Sequence, residues 1–345
     1  MAGLAAAARA RELGAHPVVL EKGDRAGGSM ALSSGVIWRH AEWEDFRSEC
    51  PGGDPELQRL VFDGLDGALG WLERLGAPVT ERGTGNPRTT GVRFDPAGLR
   101  DVLVEAAGAV ELGRPLGEPP RDGRPLVLAT GGFQGDRELV REHVTPEADA
   151  LLLRANPWSA GDGLRIGTAA GARRSAGLDE FYGRNMPAPP ARVGPDGFVE
   201  LAQLYARHAT VRNDVGEVYS AHTWSEIDVV QWTARQPRAR AWYEVTAEGL
   251  EQRVRERTVA EMVDSAERAG APVERRGGGA TVEVVAGITT TLGGLAVDAR
   301  GKAAPGIWAA GADAGGFATG GYASGLAAAL VLGRVAAESA LEEAA

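Results

Sequence analysis

Three times along the chain, a short apolar run with β character breaks directly into a glycine-bearing loop. This recurring junction limits the fold more than any other feature. Pro17-Val18-Val19-Leu20 closes on Glu21 and opens into the Lys22 to Gly28 loop; Pro125-Leu126-Val127-Leu128-Ala129 runs into Thr130-Gly131-Gly132; Gly306-Ile307-Trp308-Ala309-Ala310 runs into Gly311-Ala312-Asp313-Ala314-Gly315-Gly316. Continuous apolar runs of this length read as strands of a buried parallel sheet. Their glycines would then lie at the carboxyl edge of one sheet, where α/β proteins bind ligands. Glycine accounts for 49 of the 345 residues, well above the usual ~7%. It shows no three-residue period and stands beside abundant Ala, Val and Leu, which excludes collagen and disorder. The excess serves places where the backbone takes a positive φ or approaches a ligand closely.

Helical patterns separate these strands. An Ala-rich helix is expected from Gly3 to Leu13, stopped at Gly14, followed by helices over Glu56 to Leu75 and Pro96 to Ala107, and a long Ala-rich helix from about Ser324. From about Asp136 to Ala280 the texture changes. That stretch holds most of the Trp, Tyr and His residues and a Pro-rich segment from Pro187 to Pro195. The expected organisation is an α/β domain over residues 1–135, an inserted α+β cap domain over 136–280, and a return to the first domain over 281–345. No repeat of fixed period is present.

Charge and cysteine narrow the setting. A net charge of −10 with only two lysines, Lys22 and Lys302, and arginines dispersed without a basic block argues against nucleic-acid binding. The single cysteine, Cys50, has no partner for an intrachain disulfide and no neighbour at metal spacing, and reads as inert. The apolar stretch from Ala323 stops at Gly333-Arg334, short of the ~20 residues that cross a bilayer. With no charged leader ahead of the short apolar start, a cytoplasmic protein with a small-molecule substrate and no membrane segment is expected.

The first junction carries a more specific signal. Glu21 follows Gly3 by eighteen residues, the spacing at which a dinucleotide fold places a carboxylate to accept hydrogen bonds from an adenosine ribose. Of the glycine fingerprint itself only Ala2-Gly3 stands in the sequence; the first strand and the two leading glycines are expected to be missing. A plain β-turn-α start is the alternative reading of this segment alone.

Taken together and in order, the segments resemble the flavoprotein superfamily of fumarate reductases, succinate dehydrogenase flavoprotein subunits, 3-ketosteroid Δ1-dehydrogenases and tricarballylate dehydrogenases. The matching stretches are Ala2-Gly3-Leu4, Val19-Leu20-Glu21-Lys22, Gly27-Gly28-Ser29, Ser33 to Trp38, Ala129 to Phe133, Ala160 to Leu164, Thr291 to Leu295 and Gly306 to Leu326. The resemblance implies a Rossmann-like FAD-binding domain lacking its first strand. It implies that Gly3, Glu21 and Lys22 face the ribose and diphosphate, and that Gly28, Ser29, Ser33, Ser34 and Gly35 line the diphosphate and flavin ring. Ala129, Thr130 and Gly131 would face the adenosine half, with Asp162 and Gly163 holding a helix start close to FAD. Gly311 and Asp313 would meet the ribityl chain, and Ser324, Gly325 and Leu326 would aim the last helix at the flavin N1/O2 edge. Superfamily members with covalent flavin carry a histidine where this chain has Gly28, so FAD is expected to be non-covalent.

The same resemblance implies hydride transfer between flavin N5 and a carbon next to an activating carbonyl, with a side chain moving the proton. Here the chain departs from the pattern. Against the fumarate reductase motif Asn-x-x-Gly-x-Arg-Phe-x-Asp-Glu stands Asn213-Asp214-Val215-Gly216-Glu217-Val218-Tyr219-Ser220-Ala221-His222, and the acid arginine falls near Glu226 or Ile227. The substrate histidine falls on Thr290 and the steroid enzymes' tyrosine near Thr319. Fumarate and succinate are therefore not expected substrates. The catalytic candidates are Tyr322 as a carbonyl-polarising phenol, His222 as an acid/base, and Arg184 as a carboxylate fork; each also reads as an ordinary hydrogen-bonded group. Trp224, Trp232, Trp242 and Tyr243 read as cap-domain core or as an aromatic wall. The electron acceptor is left open. Two rival functions stand beside the CH–CH oxidoreductase: a flavoprotein that has lost its chemistry, and a flavin-dependent oxidase of amines or hydroxy acids.

Overall fold

A computed structural model describes residues 1–120, 122–221 and 227–344. Two compact units share the chain. The first comprises Met1–Asp136, Asn156–Glu180 and Thr290–Ala345; the second comprises Arg137–Ala155 and Phe181–Thr289.

In the first unit, α1 (Ala2–Glu12) leads into β1 (Val19–Leu20), then β2 (Val36–His40), α2 (Pro55–Arg74), β3 (Val79–Arg82), β4 (Thr89–Phe94), α3 (Pro96–Ala107), β5 (Val110–Glu111) and β6 (Leu126–Leu128). After the second unit's first segment come α4 (Asp162–Ala169), β7 (Lys302–Ala304), β8 (Ile307–Ala309) and α5 (Gly325–Ala344). The two Asp-Pro pairs set helix starts. Asp54 accepts hydrogen bonds from the N–H groups of Glu56 and Leu57, and Asp95 accepts one from Gly98 N–H, while Pro55 and Pro96 occupy first-turn positions where no N–H is needed. α1 lies against both α5 and α3; Ala6 and Ala10 of α1 meet Ala337 of α5, small side chains that let two helices approach closely.

The strands form three small sheets rather than one. β1 pairs in parallel with β5; β6 pairs in parallel with β8, which pairs antiparallel with β7; β2, β4 and β3 form an antiparallel sheet. The expected strand over Pro17 to Leu20 is paired with β5 only at Val19 and Leu20, and Val18 is 58% exposed.

The second unit is a mixed sheet with the strand order Val273–Arg276, Gly279–Thr291, Arg240–Val245, Thr210–Arg212. Leu152–Leu153 and Phe181–Pro187 also pair with the long central strand. Its core gathers Tyr205, Val211, Tyr243, Val259, Met262, Val263 and Val282. Tyr243 is thus core. Trp232 packs at the edge of that core and edges onto Tyr219, and Trp224 lies outside the described residues.

The unit boundaries depart from the expected 136–280 insertion. Asn156–Glu180 belongs with the first unit, because Asp162 and Gly163 are tied to Lys22 and Thr130. Among the described residues, no helix is long and apolar enough to cross a membrane.

Candidate functional site

Every residue that the sequence assigns to a cofactor falls within the first unit. The centre of the arrangement is Asp313, which follows β8 on a short turn and is buried. Its carboxylate accepts hydrogen bonds from Thr130 N–H, from Thr130 Oγ1–H at 3.0 Å and from Gly132 N–H at 3.2 Å. Burial pushes the carboxyl pKa above its ordinary value, and those donors pull it back. Thr130 Oγ1 in turn accepts Gly163 N–H at 3.0 Å. Gly163 is required there, since a Cβ at that position would lie 2.5 Å from an Asp313 carboxylate oxygen. Two glycine-bearing junctions, after β6 and after β8, are thereby fastened to the start of α4.

The junction after β1 joins the same group. Lys22 donates to Asp162 at 2.7 Å, so the acid in the first turn of α4 is neutralised by a residue from the end of β1. Glu21 accepts Gly23 N–H at 2.7 Å through one carboxylate oxygen, closing the turn. Gly3, at the start of α1, packs closely on the loop after β6; a Cβ there would be a tight 3.3 Å from the Ala129 Cβ. The Met1 amine is buried and its pKa is lowered to about 6 by desolvation, with Glu21 opposing the shift.

Ser29 is engaged by a residue that sequence reasoning missed. Asn156 Nδ2–H donates to Ser29 Oγ at 2.8 Å and to Ser159 Oγ at 3.0 Å, while Asn156 Oδ1 accepts the N–H groups of Trp158 and Ser159. The available signal was the Asn-Pro-Trp-Ser turn just ahead of Gly161-Asp162-Gly163. Ser33 Oγ is used inside its own turn, donating to Met30 O and accepting Gly35 N–H. Gly35 has φ +71°, and a Cβ there would collide with the Phe94 carbonyl. Ser34 is half-buried beside it.

A second cluster forms around the head of α5. Ser324 Oγ accepts Ala327 N–H at 3.3 Å as a helix cap and Trp38 N–H at 3.5 Å. Tyr322 packs its ring 5.2 Å from that of Trp38, and His40 Nε2 lies 3.3 Å from the Tyr322 carbonyl oxygen. His40 is buried, stacked on Phe46 at 5.1 Å, and burial lowers its pKa, keeping the ring neutral at pH 7. His40 carried no motif, so only the packing of β2 against the α5 head exposes its role. Gly325 is exposed and Leu326 half-buried at that head.

The remaining candidates lie elsewhere. Arg184 is in the second unit, buried, with its guanidinium 5.3 Å from the Tyr182 ring centroid. His222 lies outside the described residues. Asn213, which matched a family position, organises its own turn: its Oδ1 accepts Val215 and Glu217 N–H, and its Nδ2 donates to Glu217 and Gln236. Cys50 is buried and its thiol pKa is pushed up by that burial.

These residues fit a dinucleotide. The first turns of α1 and α5 contain no acid, so neither helix head carries a negative charge that would oppose an anionic group. The one acid in the first turn of α4 is paired with a lysine, and Gly35 and Gly163 stand where a Cβ would collide with a neighbouring segment of the chain. Glycine junctions after parallel strands, a carboxylate closing the first βα crossover and helix heads without acids define an α/β dinucleotide-binding protein. A family model described as an FAD binding domain matches residues 1–114 and 118–326. The chain belongs to that family, and FAD is its cofactor.

Solved structures repeat the fold. An open-conformation flavocytochrome c3 fumarate reductase is 19% identical with TM-score 0.73, covering 99% of this chain and 77% of that one. A 3-ketosteroid-Δ4-(5α)-dehydrogenase from Rhodococcus jostii RHA1, in complex with 4-androstene-3,17-dione, is 20% identical with TM-score 0.71, covering 98% and 94%. A 3-ketosteroid Δ1-dehydrogenase from Sterolibacterium denitrificans, in complex with 1,4-androstadiene-3,17-dione, is 15% identical with TM-score 0.70, covering 99% and 98%. At these identities the likeness is one of fold. No curated protein matches by sequence. The superfamily resemblance read from the ordered motifs is borne out.

Proposed function

We propose that the protein is an FAD-dependent oxidoreductase acting on a CH–CH bond next to a carbonyl, by dehydrogenation or by enone or alkene reduction. The observation that carries this reading is the family match over nearly the whole chain, to which the joining of two glycine junctions and the α4 start at Asp313, with Lys22 tying in the third through Asp162, adds physical support. Bound FAD supplies a two-electron partner that exchanges hydride with the substrate carbon.

The chain's own residues would hold and bias that partner. Glu21 would accept ribose hydroxyls, and the α1 head with Gly28 and Gly35 would meet the diphosphate. Thr130 and Asp313 would set the loop beneath it. The head of α5, capped by Ser324, would favour negative charge on the reduced ring. Attachment is proposed as non-covalent, since Gly28 stands where the resemblance puts a linking histidine. For the proton at the substrate, Tyr322 is the first candidate. A phenol is protonated at neutral pH and can donate to a carbonyl oxygen, and Trp38 and His40 brace its loop. His222 and Arg184 are the further candidates, as acid/base and carboxylate fork. The separate β1·β5 and β6·β8 pairs favour, as a second reading, a flavin-binding protein without catalysis.

The test is to purify the chain and record its visible spectrum. Bleaching of a yellow protein by saturated ketosteroids or dicarboxylates under anaerobic conditions, or reoxidation of the reduced protein by enones, supports the CH–CH reading. Bleaching by amines or hydroxy acids alone replaces it with the oxidase reading. Flavin that no such compound reduces or reoxidises leaves the non-catalytic reading standing.

A further inference from the structure

Tyr322 ends a loop with little rigidity of its own. Residues 314–322 read Ala-Gly-Gly-Phe-Ala-Thr-Gly-Gly-Tyr, and four glycines in nine residues leave the backbone unusually many conformations to lose on folding. Residues 314–319 and Gly321 are nevertheless buried. Something beyond the loop's own side chains must hold it in one conformation.

That support comes from the head of α2 and the residues just ahead of it. Asp54 N–H donates to Gly316 O at 2.8 Å. Gln58, in α2, is fully buried and donates through Nε2 to Phe317 O and to Cys50 O, each at 3.0 Å. Its Oε1 accepts a hydrogen bond from Arg47 Nη1, and the same guanidinium donates to Gly53 O at 2.8 Å and to Pro51 O at 3.4 Å. Both amide hydrogens and the amide oxygen of Gln58 are thereby used. The approach is close at both ends of the loop: a Cβ on Gly53 would lie 2.5 Å from Phe317 O, and one on Gly321 would collide with the Glu49 carbonyl. Next in the chain, Tyr322 N–H faces the Cys50 thiol, and Tyr322 O lies 3.3 Å from His40 Nε2. An apolar side chain of the same size would fill the place of Gln58 equally well. What the amide adds is direction, because a fully satisfied buried polar group selects one arrangement of the carbonyls around it.

We propose that Gln58 is a positioning residue for Tyr322: through Phe317 O and Cys50 O it fastens the glycine loop to the head of α2, so that the phenol stands in one place. Arg47 braces Gln58 from the other side. Misplacing a reacting group by about 1 Å costs about 100-fold in rate, so a loop this rich in glycine needs such a fastening if it is to carry a proton donor. The proposal rests on the reading of Tyr322 as that donor, while the seating of the loop follows from the hydrogen bonds alone.

The test uses the full chain labelled with 3-fluorotyrosine and read by fluorine NMR without added flavin. Tyr322→Phe identifies the Tyr322 signal among those of the five tyrosines. Gln58→Met keeps the bulk and removes the hydrogen bonds; Thr258→Ala, which removes a helix cap in the second unit, is the control for a general loss of stability. Gln58→Met is expected to shift or broaden the Tyr322 signal and leave the other four in place, with Tyr322 unmoved in Thr258→Ala. An unchanged Tyr322 signal in Gln58→Met overturns the proposal, as does the same disturbance in both variants. Should Gln58→Met fail to fold, Arg47→Met removes the brace on Gln58 Oε1 instead; movement of the Tyr322 signal supports the proposal, and none overturns it. With FAD bound and the ketosteroid, dicarboxylate or enone that reduces or reoxidises it, kcat of Gln58→Met is expected to fall about 10-fold or more, with KM within about 2-fold. A kcat equal to that of the wild type, where Tyr322→Phe has lost it, also overturns the proposal. Full turnover in Tyr322→Phe overturns the proton-donor reading instead, and the fluorine comparison then decides the positioning by itself.

Discussion

Replacing Asp313 with alanine is the sharpest perturbation of the site. The carboxylate accepts hydrogen bonds from Thr130 N–H, Thr130 Oγ1–H and Gly132 N–H. Hydrogen bonds to a charged acceptor contribute about 1.5–3 kcal/mol each, so losing three removes about 4–9 kcal/mol of gross interaction. Against this stands the desolvation of a fully buried carboxylate, several kcal/mol after relaxation and visible as its raised pKa. The net expectation is a loss of about 2–4 kcal/mol, read from the urea midpoint of tryptophan fluorescence, together with flavin lost on gel filtration. His222→Ala should retain flavin better than Asp313→Ala. The raised pKa also fixes a pH signature. A carboxyl whose folded pKa lies above its unfolded value of 3.8 contributes stability that is full below that unfolded value and lost as pH rises through the folded one. Relative to Asp313→Asn, the wild-type protein should therefore gain stability as pH falls from 7 toward 4. Asp313→Ala within about 0.5 kcal/mol of wild type, or a pH trend of opposite sign, would refute the reasoning.

Gly163→Ala should cost more than about 2 kcal/mol, because its Cβ meets the Asp313 carboxylate, and the cost should fall below about 1 kcal/mol in an Asp313→Ala background; a double-mutant cycle measures the difference, and strict additivity counts against the contact. Cys50 should resist a thiol reagent in the native protein and react on unfolding, since it is buried and its thiolate disfavoured; reaction at a free-thiol rate in the native state contradicts that placement. Asp54→Ala should lower stability by about 1 kcal/mol through loss of the α2 cap, with Asp54→Asn recovering most of it; equal losses for both would show that the cap is not the cause.

Much of the first unit was legible because its signals are local. The Pro96 to Ala107 helix matches α3, and the Glu56 to Leu75 pattern matches α2 to within a residue, since Asp-Pro caps and apolar periodicity act within a few residues. The three strand-to-glycine junctions were legible for the same reason, and the family match confirms the FAD reading they supported. Asn156 and His40 were not legible. Asn156 acts on Ser29 across 127 positions, and His40 acts on a carbonyl 282 positions away, so no window of sequence contains either interaction. The assignment of residues 156–180 to the first unit was hidden likewise, because it depends on Lys22 and Thr130 reaching Asp162 and Gly163.

By itself, the sequence determined that this chain builds an α/β cofactor cradle, because glycine, the caps and short apolar runs constrain the backbone wherever they occur. Only the tertiary structure decided how the cradle is tied together: that one buried carboxylate, Asp313, gathers two loops and a helix start, and that β1 and β6 belong to two separate small sheets. Those outcomes depend on which donors meet a desolvated charge and which strand edges find partners. Both are properties of distance in space, which the order of residues does not encode locally.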